Sequence, residues 1–140
     1  MGLITLVQPN ETFWVLVAAD DNDPTDIRHK ISQDEPTDKE LADWSALKCR
    51  RVSPDWLEDL KRQFTKWATD RSGRYEETNW KAYRHAAMKY ILEDWKGMTG
   101  SPPCTDENKL MLPTSIQVLV IGQSSGVVTL PDRGELQKNS

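Results

Sequence analysis

Residues 79–113 place the strongest constraint on the fold, because they combine two helix starts, a glycine stop and a proline-rich turn. Asn79 can cap a helix, and apolar side chains then recur at helical spacing. This apolar stripe consists of Trp80, Tyr83, Ala87, Tyr90, Ile91 and Trp95. The helix is expected to stop at Gly97, and a turn follows at Pro102-Pro103. A second helix is expected to be capped by Thr105 and stopped by Pro113. The stretch therefore predicts a docking element in a helical domain.

A second helix is predicted from Ser53, whose side chain can cap it. Pro54 suits the first helical position, and Asp55 lies at the positive end of the helix dipole. The apolar residues that follow at helical spacing are Trp56, Leu57, Leu60, Phe64 and Trp67, and Gly73 ends the unit. Two capped helices joined by a short loop usually pack antiparallel. The expected facing residues are Trp56, Leu60 and Phe64 on one helix and Tyr83, Ala87 and Ile91 on the other.

The N-terminal segment is predicted to be a β-hairpin. Residues 3–7 and 12–18 are rich in β-branched and aromatic side chains, and residues 8–11 between them have turn chemistry. The acidic segment 20–36 contains two prolines and is expected to be a loop.

The remaining chain is expected to be helical. Thr37 is followed three residues later by Glu40, which gives a capping box for a helix through Leu41, Trp44 and Leu47. The run 116–121 is ambiguous, because its β-branched content favours a strand while the Pro-Thr-Ser sequence before it favours a helix. We favour the helix, since no partner strand is predicted nearby.

Together these elements predict an α+β fold that is mainly α, with an N-terminal β-hairpin followed by a small helical bundle. A single domain is expected over 1–123, since the chain has 140 residues. Its parts are the hairpin 1–19, the acidic loop 20–36 and the helical region 37–123. The polar segment 124–140 is expected to be a loose tail.

The charges are unevenly distributed along the chain. The net charge of −4 argues against a general nucleic-acid-binding protein. Residues 20–43 carry nine acidic against three basic side chains, whereas residues 48–74 carry eight basic against four acidic. These segments are either two solvated surfaces of opposite sign, or an acidic loop that docks a basic partner. The aspartates considered for docking are Asp20, Asp21, Asp23 and Asp26.

No catalytic, metal or cofactor site is recognisable in the sequence. His29 and His85 lack an acid or a cysteine at the spacing of a triad or a metal site. Cys49 and Cys104 have no companion at metal-ligand spacing and are expected to be free thiols. Residues 21–26 resemble the start of a calcium loop, but the required glycine and glutamate are missing. We therefore expect a protein that is not an enzyme and that has no metal and no cofactor.

Six tryptophans are many for a chain of this length. Most lie on predicted apolar faces, but one or two are expected to serve as interface anchors, where tryptophan is enriched. Trp95 is the best candidate, because it is predicted at the last turn of its helix. Trp95, Gly97, Pro102 and Pro103 are therefore the predicted partner-binding residues, together with the four aspartates.

The pattern around the turn also resembles a known family. A helix ending in Glu-Asp-Trp-Lys-Gly, followed by Pro-Cys-Thr, Asn108 and a leucine, resembles the tail assembly chaperones of tailed bacteriophages. Those are small proteins encoded among the head and tail genes. The resemblance implies a largely helical, non-enzymatic protein in the host cell cytoplasm. It also implies a client, the tape measure protein, which such chaperones coat until the tail tube polymerises around it.

Two other functions remain open. The predicted hairpin and the tryptophans depart from these chaperones and are compatible with a structural virion protein of the head–tail junction or tail. An inhibitor that binds a host protein through the acidic loop is the third possibility. In the first two cases the partners are phage tail or head–tail proteins, and in none of the three is a nucleic acid or a membrane expected.

Overall fold

The computed structural model describes residues 4–5, 10–20, 22–23, 25–126 and 128–129. These residues form eight strands and five helices. The strands are β1 (Ile4–Thr5), β2 (Thr12–Ala19), β3 (Ile27–Ser32), β4 (Ser45–Arg50), β5 (Thr65–Asp70), β6 (Gly73–Thr78), β7 (Leu92–Lys96) and β8 (Val128–Thr129). The helices are α1 (Asp38–Leu41), α2 (Pro54–Gln63), α3 (Trp80–Ile91), α4 (Asp106–Lys109) and α5 (Thr114–Ser125). The fold is α+β with a large share of strand, and the prediction that it is mainly α is wrong.

A four-stranded antiparallel sheet with the order β3-β2-β4-β7 forms the centre of the fold. The five central residues of β2 are all buried. Alternate side chains of a strand point to opposite faces. Phe13, Val15 and Val17 therefore enter the main core, while the residues between them join a second cluster against which Leu41 and Trp44 pack. Both faces of β2 are covered, which explains its continuous apolar sequence.

Three helices contribute to the main core on one face of this sheet. Ala87 and Met88 of α3 and Ile116 and Val120 of α5 are buried in it, and α2 packs against it through half-buried side chains. The predicted helix starts are confirmed at four residues whose side chains accept a hydrogen bond from a backbone N–H. These capping residues are Thr37, Ser53, Asn79 and Thr105. The helical interpretation of 116–121 is also confirmed, since that run lies within α5.

The helix predicted from Thr37 through Leu47 is wrong beyond its first turn. Helix α1 ends at Leu41, and Leu47 lies in β4 opposite Val15 of β2. Ala46 and Leu47 are buried on opposite faces of the sheet. This burial depends on strands that are distant in sequence, so local spacing does not reveal it.

The other two helices also end earlier than predicted. Trp67 lies in β5 and not on α2, and Gly73 belongs to the β5–β6 hairpin. Helix α3 ends at Ile91, and Trp95 lies in β7 opposite Leu47. The helical bundle predicted for 37–123 is therefore wrong, because strands β4 to β7 alternate with its helices.

The predicted N-terminal hairpin has the wrong partner strand. Strand β2 pairs with β3 on one side and with β4 on the other. Ile4–Thr5 pairs instead with Val128–Thr129. The loop predicted for 20–36 contains β3, whose Ile27 and Ile31 alternate with polar residues and pack against the core.

The predicted loose tail begins too early. Ser124 and Ser125 belong to α5, and Ser124 is buried. Val128–Thr129 forms β8. Residues 127 and 130–140 lie outside the described residues.

Helices α2 and α3 contact each other, although not through all the residues expected. Trp56 stacks on Tyr90, with ring centroids 4.7 Å apart. Ala87 is buried, as predicted. Phe64 ends α2 and is only half-buried. The β5–β6 hairpin takes the place of the short loop that was predicted between the two helices.

Candidate protein-binding site

An apolar groove lies on the surface between α3 and α5. It has a volume of about 300 Å³ and is lined by Trp80, Tyr83, Arg84, Val118 and Ile121. Trp80 is 56% exposed and Val118 is 57% exposed. Keeping apolar surface in contact with water is unfavourable, and contiguous exposed patches commonly mark binding sites. The groove therefore suits apolar side chains of a partner, with one polar group to orient them.

Trp80 is held in place by contacts with two other side chains. Tyr83 meets its ring edge to face, with centroids 5.9 Å apart. The ammonium group of Lys61 on α2 lies 5.2 Å from the centroid of the Trp80 ring. Burial raises the pKa of Tyr83, and the carboxylate of Glu58 raises it further, so this wall of the groove stays neutral.

Arg84 is anchored by a buried glutamine. Gln117 is 2% exposed, and its Oε1 accepts a hydrogen bond from Arg84 Nε at 3.0 Å. The amide Nε2 of Gln117 donates to the carbonyl oxygens of Leu112 at 2.8 Å and Leu110 at 3.3 Å. These bonds fix the glutamine at the start of α5. Because a guanidinium carries five N–H donors, Arg84 can keep this bond and also bind a carboxylate of a partner.

The groove lies in the basic part of an acidic chain. Residues 61–90 carry eight Lys or Arg against three Asp or Glu, although the whole chain has a net charge of −4. Burial lowers the pKa of His85, and the cations of Arg84, Lys81 and Lys89 lower it further. The positive potential around α3 therefore favours a partner that carries acidic groups.

Trp95, which the sequence singled out, is not an exposed anchor, although Gly97 and Pro103 are exposed. Trp95 is 7% exposed, and its indole N–H donates to the carbonyl oxygen of Pro102 at 2.8 Å. The carbonyl oxygen of Pro103 accepts from Asn108 Nδ2 at 2.9 Å. The expected exposure of Trp95 at a helix end is wrong, because α3 stops at Ile91 and Trp95 enters the sheet. The residues of the turn bind one another.

Gly97 has a structural role at the end of β7. Its φ is +71°, and an added Cβ would lie 2.9 Å from the carbonyl oxygen of Trp44. The hydroxyl of Ser45 donates to the carbonyl oxygen of Gly97 at 2.8 Å. Gly97 thus joins the end of β7 to the start of β4. This structural role explains the glycine, and no binding partner is needed to explain it.

Three of the four predicted aspartates, Asp20, Asp23 and Asp26, lie between β2 and β3. The N–H of Asp20 donates to the carbonyl oxygen of Asp26 at 3.0 Å. The hydroxyl of Thr25 donates to Asp23 Oδ1 at 2.6 Å and lowers the pKa of that carboxyl. Asp21 lies outside the described residues. This segment lies at the same end of the sheet as the end of β7, but β4 lies between β2 and β7, so the predicted residues fall into two separate groups.

The thiols are poorly placed for chemistry. Cys49 is buried, and burial raises the pKa of its thiol far above the ordinary value. Cys104 is half-buried, and burial raises the pKa of its thiol as well. Neutral thiols are weak nucleophiles and weak metal ligands. Within the part of the chain that the structure describes, no group of three or more His, Cys, Asp or Glu is placed to hold a metal ion.

The sequence did not single out the groove. Trp80 belongs to the same helical stripe as Ile91, but only the later turns of α3 reach the core, so Trp80 remains exposed. Val118 lies in a nearly continuous apolar run that forms a helix. A helix that is apolar on most sides must expose some of those side chains unless it is surrounded. This apolar run could therefore have predicted the exposed apolar surface on α5 that lines the groove.

No protein-family model, curated protein or solved structure matches this chain. None of the helices in the described ranges is both long enough and apolar enough to cross a membrane.

Proposed function

We propose that the protein is a non-enzymatic tail assembly chaperone of a tailed bacteriophage, which binds a helical segment of the tape measure protein in the α3–α5 groove. The observation that carries the proposal is the exposed apolar pair Trp80 and Val118 beside the anchored Arg84. An amphipathic helix presents apolar side chains at intervals of three and four residues, which is the pattern that such a groove accepts. Acidic residues beside that apolar stripe would meet Arg84 and Lys61.

The residue pattern that resembles tail assembly chaperones forms a structured turn, although residues 93–96 lie in β7 and do not end a helix as expected. Trp95 binds Pro102, while Thr105 caps the short helix that contains Asn108. These residues hold one turn together, so the resemblance supports the proposal through the sequence pattern alone. Partner binding is accordingly assigned to the groove and not to the turn.

The size of the groove suits a chaperone that must release its client. A volume of about 300 Å³ lies at the low end for a ligand pocket, so the groove accepts only a few apolar side chains of the client helix. Binding then depends on a few side chains, which gives modest affinity. Modest affinity allows tail tube subunits to displace the chaperone as they polymerise.

Co-expression with the tape measure protein, followed by pull-down and a measurement of client solubility, tests the proposal. Trp80→Ala should weaken client binding by about 2 kcal/mol or more, as truncation of an interface anchor does. Met111→Ala is the matched control, because Met111 is 81% exposed and lies outside the groove. Both variants should remain folded, since neither side chain is buried in the core.

Two results would overturn the proposal. One is a client that stays insoluble with the wild-type chain present. The other is client binding that Trp80→Ala and Met111→Ala weaken equally. Recovery of the chain in purified virions at a fixed ratio to tail proteins would favour the structural virion protein instead.

A further inference from the structure

The β5–β6 hairpin, residues 65–78, is a ribbon that forms a separate two-stranded sheet. Along the ribbon, Trp67 is 60% exposed and Tyr75 is 42% exposed. Within the described residues, no further strand pairs with the outer edge of β5 or β6. A two-stranded ribbon is only marginally stable by itself in water, and additional strands stabilise it.

The register of the ribbon shows which backbone groups face its open edges. Asp70 and Gly73 are paired across a turn of two residues. They must therefore exchange hydrogen bonds directly, and the pairs alternate from there along the ribbon. The N–H and C=O groups of Thr65, Trp67 and Thr69 consequently point away from β6, toward the open edge of β5.

We propose that this edge of β5 pairs with the same edge of a second copy of the chain, antiparallel and centred on Ala68. Trp67 then lies opposite Thr69 of the second copy, and both residues have outward-facing backbone groups that can exchange hydrogen bonds. Lys66 lies opposite Asp70 of the second copy. Since the arrangement has two-fold symmetry, every pair occurs twice. Opposite charges and aromatic–β-branched pairs are both favourable across antiparallel strands.

The charges favour the edge of β5 over that of β6. The sequence Lys-Trp-Ala-Thr-Asp of β5 carries one charge of each sign, placed symmetrically about Ala68. Strand β6 carries Arg74 against Glu76 and Glu77, so pairing two β6 edges would bring net negative charge together. Arg74 also lies over the Trp67 ring, 4.7 Å from its centroid. Pairing at the edge of β5 leaves that contact within the ribbon intact.

The mass of the full-length chain in solution, measured by sedimentation at increasing concentration, tests this inference independently of any client. The wild type should rise from 16.0 kDa toward twice that mass, and only at high concentration because the interface is small. Lys66→Asp and Asp70→Lys should each weaken dimerisation at least about tenfold, since like charges then face each other twice. Arg62→Asp is the matched control, because Arg62 is exposed on α2 outside the paired strands.

Charge exchange gives the decisive comparison. The double variant Lys66→Asp/Asp70→Lys should dimerise more strongly than either single variant, although the aspartate introduced at position 66 then faces Glu77 within its own ribbon. An equimolar mixture of the two single variants should also form dimers, because both pairs across the mixed dimer join opposite charges. Circular dichroism and urea unfolding would confirm that each variant is folded. A wild type that stays monomeric throughout, single variants that dimerise normally, or a mixture that does not dimerise would each overturn the inference.

Discussion

Replacing Gly97 by alanine should destabilise the protein more than replacing Gly100. Both glycines have positive φ angles, +71° and +79°. That backbone conformation costs an L-residue about 1–2 kcal/mol. Their surroundings differ, since an added Cβ at Gly97 would lie 2.9 Å from the carbonyl oxygen of Trp44, whereas a Cβ at Gly100 would meet nothing within 4 Å. Gly100→Ala therefore measures the backbone cost alone.

The contact at Gly97 is difficult to relieve. The carbonyl oxygen belongs to the backbone that leads into β4, and Ser45 donates a hydrogen bond to the carbonyl oxygen of Gly97 itself. Leu41 Cδ2 would lie 3.3 Å from the added Cβ on another side. Overpacking of this kind costs about 1–3 kcal/mol. The free energy of unfolding should therefore fall by about 2–5 kcal/mol for Gly97→Ala and by about 1–2 kcal/mol for Gly100→Ala.

Urea unfolding of the two variants and the wild type measures the difference. The slope with urea should stay the same, so that a shift in the midpoint reports stability. Equal losses of unfolding free energy in the two variants would show that the backbone at Trp44 moves to accommodate the added Cβ. That result would refute the steric reasoning. Folded Gly97→Ala should bind the client like the wild type. Weaker binding without a loss of stability would indicate that the turn after β7, and not the groove, binds the client.

The remaining predictions concern the titratable groups. Cys49 should resist a disulfide reagent at pH 8 until urea unfolds the protein, and Cys104 should react at an intermediate rate, because burial raises the pKa of both thiols. The free energy of unfolding should fall as the pH drops below 6.5, because the depressed pKa of folded His85 means that the unfolded chain binds its proton first. His85→Gln should flatten that part of the curve of urea midpoint against pH. A variant curve parallel to the wild-type curve would exclude His85 as the cause.

Local features of the fold could be predicted because their causes lie within a few residues. Ser53 and Asn79 cap their helices through backbone N–H groups three residues away, and both caps are confirmed. Strands β4 and β7 could not be predicted in this way. Leu47 and Trp95 lie opposite each other in the sheet, although they are far apart in sequence. The apolar residues around each of them recur at helical spacing, which favours a helix locally. Pairing in the sheet determines the structure instead.

The exposure of Trp95 was mispredicted for a related reason. Trp95 and Trp80 lie on the same predicted helical stripe, so spacing alone could not distinguish them. Trp95 is buried because a strand replaces the last turn of that helix. Trp80 is exposed because the first turn of α3 lies beyond the core. Exposure depends on where the sheet ends, which the sequence of one helix does not contain.

The order of the elements along the chain has a consequence for synthesis. Strands β2, β3 and β4 are complete once Arg50 has been made, yet the apolar face that contains Phe13 and Val15 is covered by α3 and α5. About 75 residues separate Arg50 from Ser125, which corresponds to about 4–15 s at ordinary elongation rates. For that time the nascent sheet presents its apolar face to solvent. A chain released before α5 would keep that face exposed, so premature termination should yield aggregates and not a smaller folded protein.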